Sequence, residues 1–153
     1  MLLEPRDTFE ALRRDFRWNI PADFNIGRVV ADDWAEKAPD RICLEHFSPD
    51  GRHLSMTYGA LAAQSSALAH GLTDLGVRAG DRVALLLPQC FETVLAHVAI
   101  YKMGAIALPL ALLFGEEALE YRLRDAGAKV IVTNAFGLQR LKAIKARLPA
   151  LQK

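Results

Sequence analysis

Three short runs of unbroken apolar residues do most to limit what this chain can fold into. Arg82–Leu87, Ala105–Leu110 and Ala128–Thr133 each read as a strand. Arg82–Leu87 has no alternation of apolar and polar positions, so it is expected to be buried on both faces. Between the strands, Glu92–Met103 and Glu116–Ala126 predict helices stopped by Gly104 and Gly127, and Phe136–Leu148 predicts a closing helix ended by Pro149. Buried strands alternating with helices predict an α/β fold, a parallel sheet with flanking helices and right-handed crossovers.

The residues before this regular part differ in kind. Asp7 followed by Glu10 has the spacing of a capping box, with Phe9, Leu12 and Phe16 on one helical face. A second helix is expected after Asn25, with Ile26, Val29, Val30 and Trp34 inward, ending before Pro39. Arg41–Phe47 and His53–Thr57 read as a hairpin around the turn residues Ser48-Pro49-Asp50-Gly51. Tyr58–Leu75 predicts a long helix with Leu61, Ser65, Leu68, Leu72 and Leu75 as its stripe and Gly76 as its stop. The expected division is a helical lead-in over 1–40, a hairpin over 41–57 and strand-helix units over 58–153, all within one incomplete domain.

Composition narrows the classes of function. The sequence has 153 residues, 52% hydrophobic and 24% charged, which is the balance of a globular chain. A net charge of +1 is too small for a field that gathers nucleic acid or anionic membrane. Cys43 and Cys90 do not make a disulfide framework and are read as reduced thiols. The start carries Glu4, Arg6, Asp7 and Glu10 and is not read as a signal peptide. The run Met103–Phe114 is too short to span a bilayer. A cytoplasmic chain without a membrane span is expected.

Several constellations fail as chemistry. Ser66, His70 and Asp74 recur at every fourth position opposite the leucine stripe, where a solvated face is expected and no oxyanion donors are available. Cys43 and His46 point to opposite faces of a strand, so with His53 they make no metal site. Gly71 to Gly76 has the glycine spacing of a phosphate loop, but Val77 and Arg78 stand where Lys and Ser or Thr are required. Glu116 and Glu117 suit the first turn of a helix and do not converge on a substrate. No catalytic or metal-binding residue is expected.

Two features stay open. Arg140, Lys142, Lys145 and Arg147 form a basic helix, read either as a solvated face or as contact with a phosphate-bearing ligand. Loops at the carboxyl ends of parallel strands are where ligands bind in open α/β sheets. These are Pro88–Cys90, Ala111–Gly115 and Asn134–Gly137. The apolar middle loop fits a ligand wall, a partner surface, or packing against further polypeptide.

The segment Leu75-Gly76-Val77-x-x-Gly80-Asp81-Arg82-Val83, followed by Leu87-Pro88, resembles the first subdomain of the AMP-forming acyl-CoA synthetases, within the adenylate-forming superfamily. Gly104-Ala105 with Pro109-Leu110 is similar to that family's next element. Asn25 with Trp34, Thr57-Tyr58, and Leu113-Phe114-Gly115-x-x-Ala118-Leu119-x-Tyr121-Arg122-Leu123 resemble its acetyl and medium-chain branch. The likeness covers about Phe24 to Lys142 and rests on several motifs in one order.

The resemblance implies ATP-dependent activation of a short- or medium-chain carboxylic acid and transfer of the acyl group from AMP to coenzyme A. ATP, magnesium and coenzyme A are the implied cofactors of the whole enzyme, and none is implied for this chain alone. The family's phosphate loop, magnesium ligand, ribose-binding aspartate and catalytic lysine do not occur between Met1 and Lys153. An amino-terminal portion, inactive by itself, is therefore expected. The alternative is a non-catalytic module that pairs with a separate synthetase remainder or self-associates. The resemblance also implies a coenzyme A site. The segment matching Leu112, Leu113 and Phe114 would line the nucleotide. Arg140 and Lys142 would be the basic residues near its 3′-phosphate, since Gln139 stands at one of the matching positions.

Overall fold

The computed structural model describes residues 5–18, 20–48 and 50–153. Pro49, assigned above to the hairpin turn, and Glu4, used above against a signal peptide, lie outside the described residues.

The core of the fold is strand β3 (Arg82–Leu86), whose last four residues are all buried. It is flanked by β4 (Ile106–Pro109) and β5 (Val130–Thr133) in the order β4-β3-β5. Both pairings are parallel, with Val83 opposite Ala107 on one side and Val130 on the other. Alternate residues of β3 supply two separate cores, as the period of a strand requires. Ala84 and Leu86 join Leu119 and Leu123 of α5 (Glu116–Asp125) and Leu141 and Ile144 of α6 (Ala135–Ile144). Val83 and Leu85 join Leu72 of α3 (Tyr58–Asp74) and Ala96 and Ile100 of α4 (Phe91–Lys102). The sheet is thus a filling between two helical layers. The chain moves from β3 outward to β4 and back across to β5. Helices on opposite faces are what one crossover hand demands of that path.

The two edge strands differ. Ile106 of β4 is 52% exposed, so β4 is not buried on both faces as β3 is. Beside β5, Gln152 donates to the Lys129 carbonyl at 2.8 Å and Ile131 to the Lys153 carbonyl at 3.0 Å. These two bonds advance in the same sense along both segments, as between parallel neighbours.

Helix ends follow local chemistry. Thr57 caps α3 by accepting from the Ala60 N–H at 3.2 Å, and Gly76, Gly104 and Gly127 take φ of 87°, 68° and 59° just past α3, α4 and α5. Arg82 of β3 and Lys129, just before β5, reach back to the helix ends. Arg82 donates to the carbonyls of Ala126 and Gly127 at 2.7 and 2.9 Å. Lys129 donates to Gly76 and Asp81 at 2.7 Å each. The Lys129 hydrogen bond comes first, followed by the Arg78 N–H, in holding the Asp81 carboxyl below its ordinary pKa. A carboxyl depressed in the folded state stabilises above its unfolded pKa, and that stabilisation fades as pH falls through the lower folded value. Asp81→Asn is therefore expected to lower the urea midpoint by a constant amount above about pH 5, with the gap closing as the pH falls below the ordinary carboxylate range. A gap independent of pH would show that the charge of Asp81 does not act this way.

The lead-in departs from expectation. Helix α1 (Phe9–Asp15) is capped by Thr8, not Asp7, because the Thr8 hydroxyl accepts from the Ala11 N–H at 3.1 Å. Phe9 is exposed and does not join Leu12 and Phe16 in partial burial. The second helix starts at Ile26, as expected after Asn25, but widens into a π-helical turn over Arg28–Asp32 before it continues as α2 (Asp33–Lys37). The wider turn rotates the buried face. Ala31 and Gly27 go inward, while Ile26, Val30 and Trp34 stay substantially exposed. The hairpin β1 (Ile42–Phe47) and β2 (His53–Thr57) is antiparallel. Met56 of β2, Ala31, Leu61 of α3, and Leu95 and Val98 of α4 form a third core beneath it.

Candidate functional site

All three loops at the carboxyl ends of the sheet are where the strand pattern puts them, but they leave toward different faces. The loop after β3 enters α4 on one side. The loops after β4 and β5 enter α5 and α6 together on the other, and that shared side brings the sequence-selected residues into contact.

Loop Ala111–Gly115 closes on itself, the Phe114 N–H donating to the Ala111 carbonyl at 3.1 Å. Leu112 and Phe114 are partly buried against the α5–α6 core. Leu113 points away and is 94% exposed. The Arg122 guanidinium lies 4.1 Å from the centroid of the Phe114 ring. Arg140, on α6, donates through Nη1 to the Leu112 carbonyl at 2.6 Å and the Phe114 carbonyl at 2.9 Å. Its guanidinium also sits 4.5 Å from the centroid of Phe136. Of the five residues selected from sequence, Leu112, Leu113, Phe114 and Arg140 are thus assembled in one place. Lys142 is exposed, two positions further along α6.

The base of this site is tightly built. Asn134 caps α6, accepting from the Gly137 N–H at 3.0 Å. Gly137 is buried against Thr133 and Leu86, and a Cβ there would meet Leu86 Cδ2 at 3.0 Å. Thr133 donates to the Leu86 carbonyl at 2.8 Å, tying β5 to β3 beneath the helix. Lys145 and Arg147, which follow α6, are exposed, as a solvated face requires, and each still finds a partner. Arg147 pairs with Glu120 at 3.1 Å, and Lys145 Nζ donates to the Leu151 carbonyl.

An apolar wall beside a basic helix suits a ligand with both apolar and anionic parts. It supplies no nucleophile or base. The loop after β3 borders a cleft of about 150 Å³ lined by Leu44, His46, Gln89, Cys90 and Phe91 among others. There the Cys90 thiol lies 3.4 Å from the Thr93 hydroxyl, which itself donates to the Pro88 carbonyl.

The set-aside constellations have other uses. Ser66, expected on a solvated face, is half-buried and accepts from Lys102 Nζ at 2.9 Å. The Cys43 thiol donates to the Met56 carbonyl at 3.3 Å, and burial pushes its pKa up. Among the described residues no group of three or more His, Cys, Asp or Glu could hold a metal ion. No described helix is long and apolar enough to cross a membrane.

The fold is an α/β domain with a parallel three-stranded sheet between two helical layers. The family model for AMP-binding enzymes matches residues 31–153. Acetyl-coenzyme A synthetase 1 of Candida albicans is 36% identical over 118 residues, 76% of this chain and 17% of that protein. The mitochondrial acyl-coenzyme A synthetase ACSM3 of Mus musculus is 32% identical over 82% of this chain and 23% of its own length. Among solved structures, a Brucella canis acyl-CoA synthetase superposes with a TM-score of 0.82 at 27% identity, over 97% of this chain and 28% of that one. The anthranilate CoA ligase AuaEII, in complex with anthranoyl-AMP, gives 0.77 at 30% identity, over 86% and 24% of the two chains.

The chain belongs to the AMP-binding enzyme family and corresponds to the amino-terminal part of its acyl- and acetyl-CoA synthetases. It spans about a fifth of the length of the curated relatives it matches, from 17% to 23%.

Proposed function

We propose that this chain supplies the coenzyme-facing part of an AMP-forming acyl-CoA synthetase. In that enzyme ATP and magnesium serve to activate a short- or medium-chain carboxylic acid, and coenzyme A receives the acyl group. The observation that carries the reading is the apolar loop Leu112–Phe114 held at the carboxyl end of β4 by the basic helix α6. Leu112, Leu113 and Phe114 form the wall, and Arg140 and Lys142 are the basic residues of the site. The relatives named above carry acetyl- or acyl-coenzyme A in their names, which supports the same substrate class. The reading places the protein in the cytoplasm.

These 153 residues do not make an acyl-adenylate by themselves, because the groups that would bind phosphate and metal do not occur in the sequence. ATP–pyrophosphate exchange with the purified chain and a panel of short and medium acids is expected to stay at background. Turnover above background overturns this assignment.

A second reading is favoured by the 94% exposure of Leu113 and by Ile106 on an edge strand. In it the chain is a non-catalytic module that pairs with a separate synthetase remainder or with itself. Light scattering decides this, since a monomer at all concentrations that captures no synthetase remainder removes it.

A further inference from the structure

The Nη1 of Arg140 is already occupied. That nitrogen donates to two backbone carbonyls, at 2.6 and 2.9 Å, across 28 and 26 residues of sequence. One face of its guanidinium lies over Phe136. The group is half-buried, and both carbonyls belong to the loop whose exposed tip is Leu113. A planar guanidinium committed in this way is a brace. Turning Nη1 to a solvent-borne phosphate would release both carbonyls and the loop with them, which leaves only Nε and Nη2 for any other partner. Lys142 is exposed, and no partner is seen for it among the described residues.

We propose that Arg140 is a positioning residue: it sets the shape of the Leu112–Phe114 loop from α6 and does not itself contact the coenzyme's phosphate. The proposal rests on the coenzyme reading of this loop. It assigns Arg140 a role different from that of an anion ligand. Two hydrogen bonds from a charged donor hold the loop, so their loss is expected to raise the opening of the loop by about tenfold or more.

The test uses the whole 153-residue chain. Amide hydrogen exchange is followed by NMR in the wild type, Arg140→Ala, Arg140→Lys and Lys142→Ala. Arg140→Ala is expected to speed exchange at Phe114 by about tenfold or more, with the β3 amides unchanged. Arg140→Lys restores part of the protection and guards against a folding defect. Lys142→Ala leaves the loop as it was. Equal exchange at Phe114 in wild type and Arg140→Ala overturns the proposal.

Titration with coenzyme A and with its 3′-dephospho form then separates bracing from contact. A brace weakens both ligands by the same factor on removal of Arg140. A loss confined to coenzyme A shows direct phosphate contact and overturns the proposal. If wild-type chain binds neither ligand, the coenzyme reading fails. The exchange result then still decides whether Arg140 holds the loop.

Discussion

Replacing Lys102 by methionine is expected to lower the unfolding free energy by about 3 kcal/mol, at the low end of the range for breaking a buried ion pair. Lys102 sits at the end of α4 with its side chain 10% exposed. Its ammonium donates to Asp32 Oδ1 at 2.7 Å, the Ala62 carbonyl at 3.0 Å and Ser66 Oγ at 2.9 Å, so all three donors are used. Methionine keeps most of the stem's volume but strips the charge. Asp32, whose side chain is 33% exposed, is left without its cation, and two neutral acceptors lose their donor. Partial access of water to Asp32 keeps the cost at the lower end.

The same corner holds the lead-in to the sheet. Asn25 donates to the Tyr101 and Lys102 carbonyls at 3.2 and 2.9 Å, and a Cβ on Gly27 would stand 2.6 Å from the backbone nitrogen of Lys102. Urea titration checks the expectation, with a lower midpoint at unchanged slope. Adding Asp32→Leu is expected to return part of the loss, since the stranded carboxylate is then gone. A loss below about 1 kcal/mol would mean the pair behaves as a surface ion pair.

Gly137→Ala is expected to cost about 2 kcal/mol, the reverse of its usual effect inside a helix. Alanine normally gains about 1 kcal/mol over glycine in a helix interior. Here the new methyl would collide with the Thr133 hydroxyl and meet Leu86 Cδ2 at 3.0 Å, so those side chains must turn aside or α6 must lift from the sheet. Arg140 lies three residues further along α6, so any lift also strains its hold on Leu112 and Phe114. Thermal melting of Gly137→Ala alone and combined with Thr133→Ala checks this. The second substitution removes the hydroxyl in the way and is expected to recover part of the loss, although the Leu86 carbonyl then loses its Thr133 donor. A melting point at or above wild type would show that the helix adjusts without cost.

Elements set by neighbouring residues were legible in the sequence. The hairpin strand His53–Thr57 has the bounds read from its pattern. Gly76, Gly104 and Gly127 stop their helices in the left-handed conformation that glycine alone adopts without penalty. The π-helical turn over Arg28–Asp32 was not legible, because no residue type there signals a wider turn. Its consequence, the inward Ala31, was missed with it. Lys102 and Asp32 are 70 residues apart, and neither carries a local mark of the other. The pattern of α3 puts Ser66 on a solvated face, because nothing in α3 shows that a lysine from α4 reaches it.

The candidate site divides along the same line. Its position at the carboxyl ends of the strands, and the apolar character of Ala111–Phe114, follow from the order of strand, loop and helix alone. That Arg140 is spent on the loop's carbonyls follows from α5 and α6 lying on one face of a β4-β3-β5 sheet. Local propensity and hydrophobic period act over a few residues, so the chain by itself determined its strands, helices, stops and family. Strand order and the pairing of distant charges arise only when those elements are packed together. Tertiary structure therefore decided which cations are braces, which edge is exposed and which loop is held.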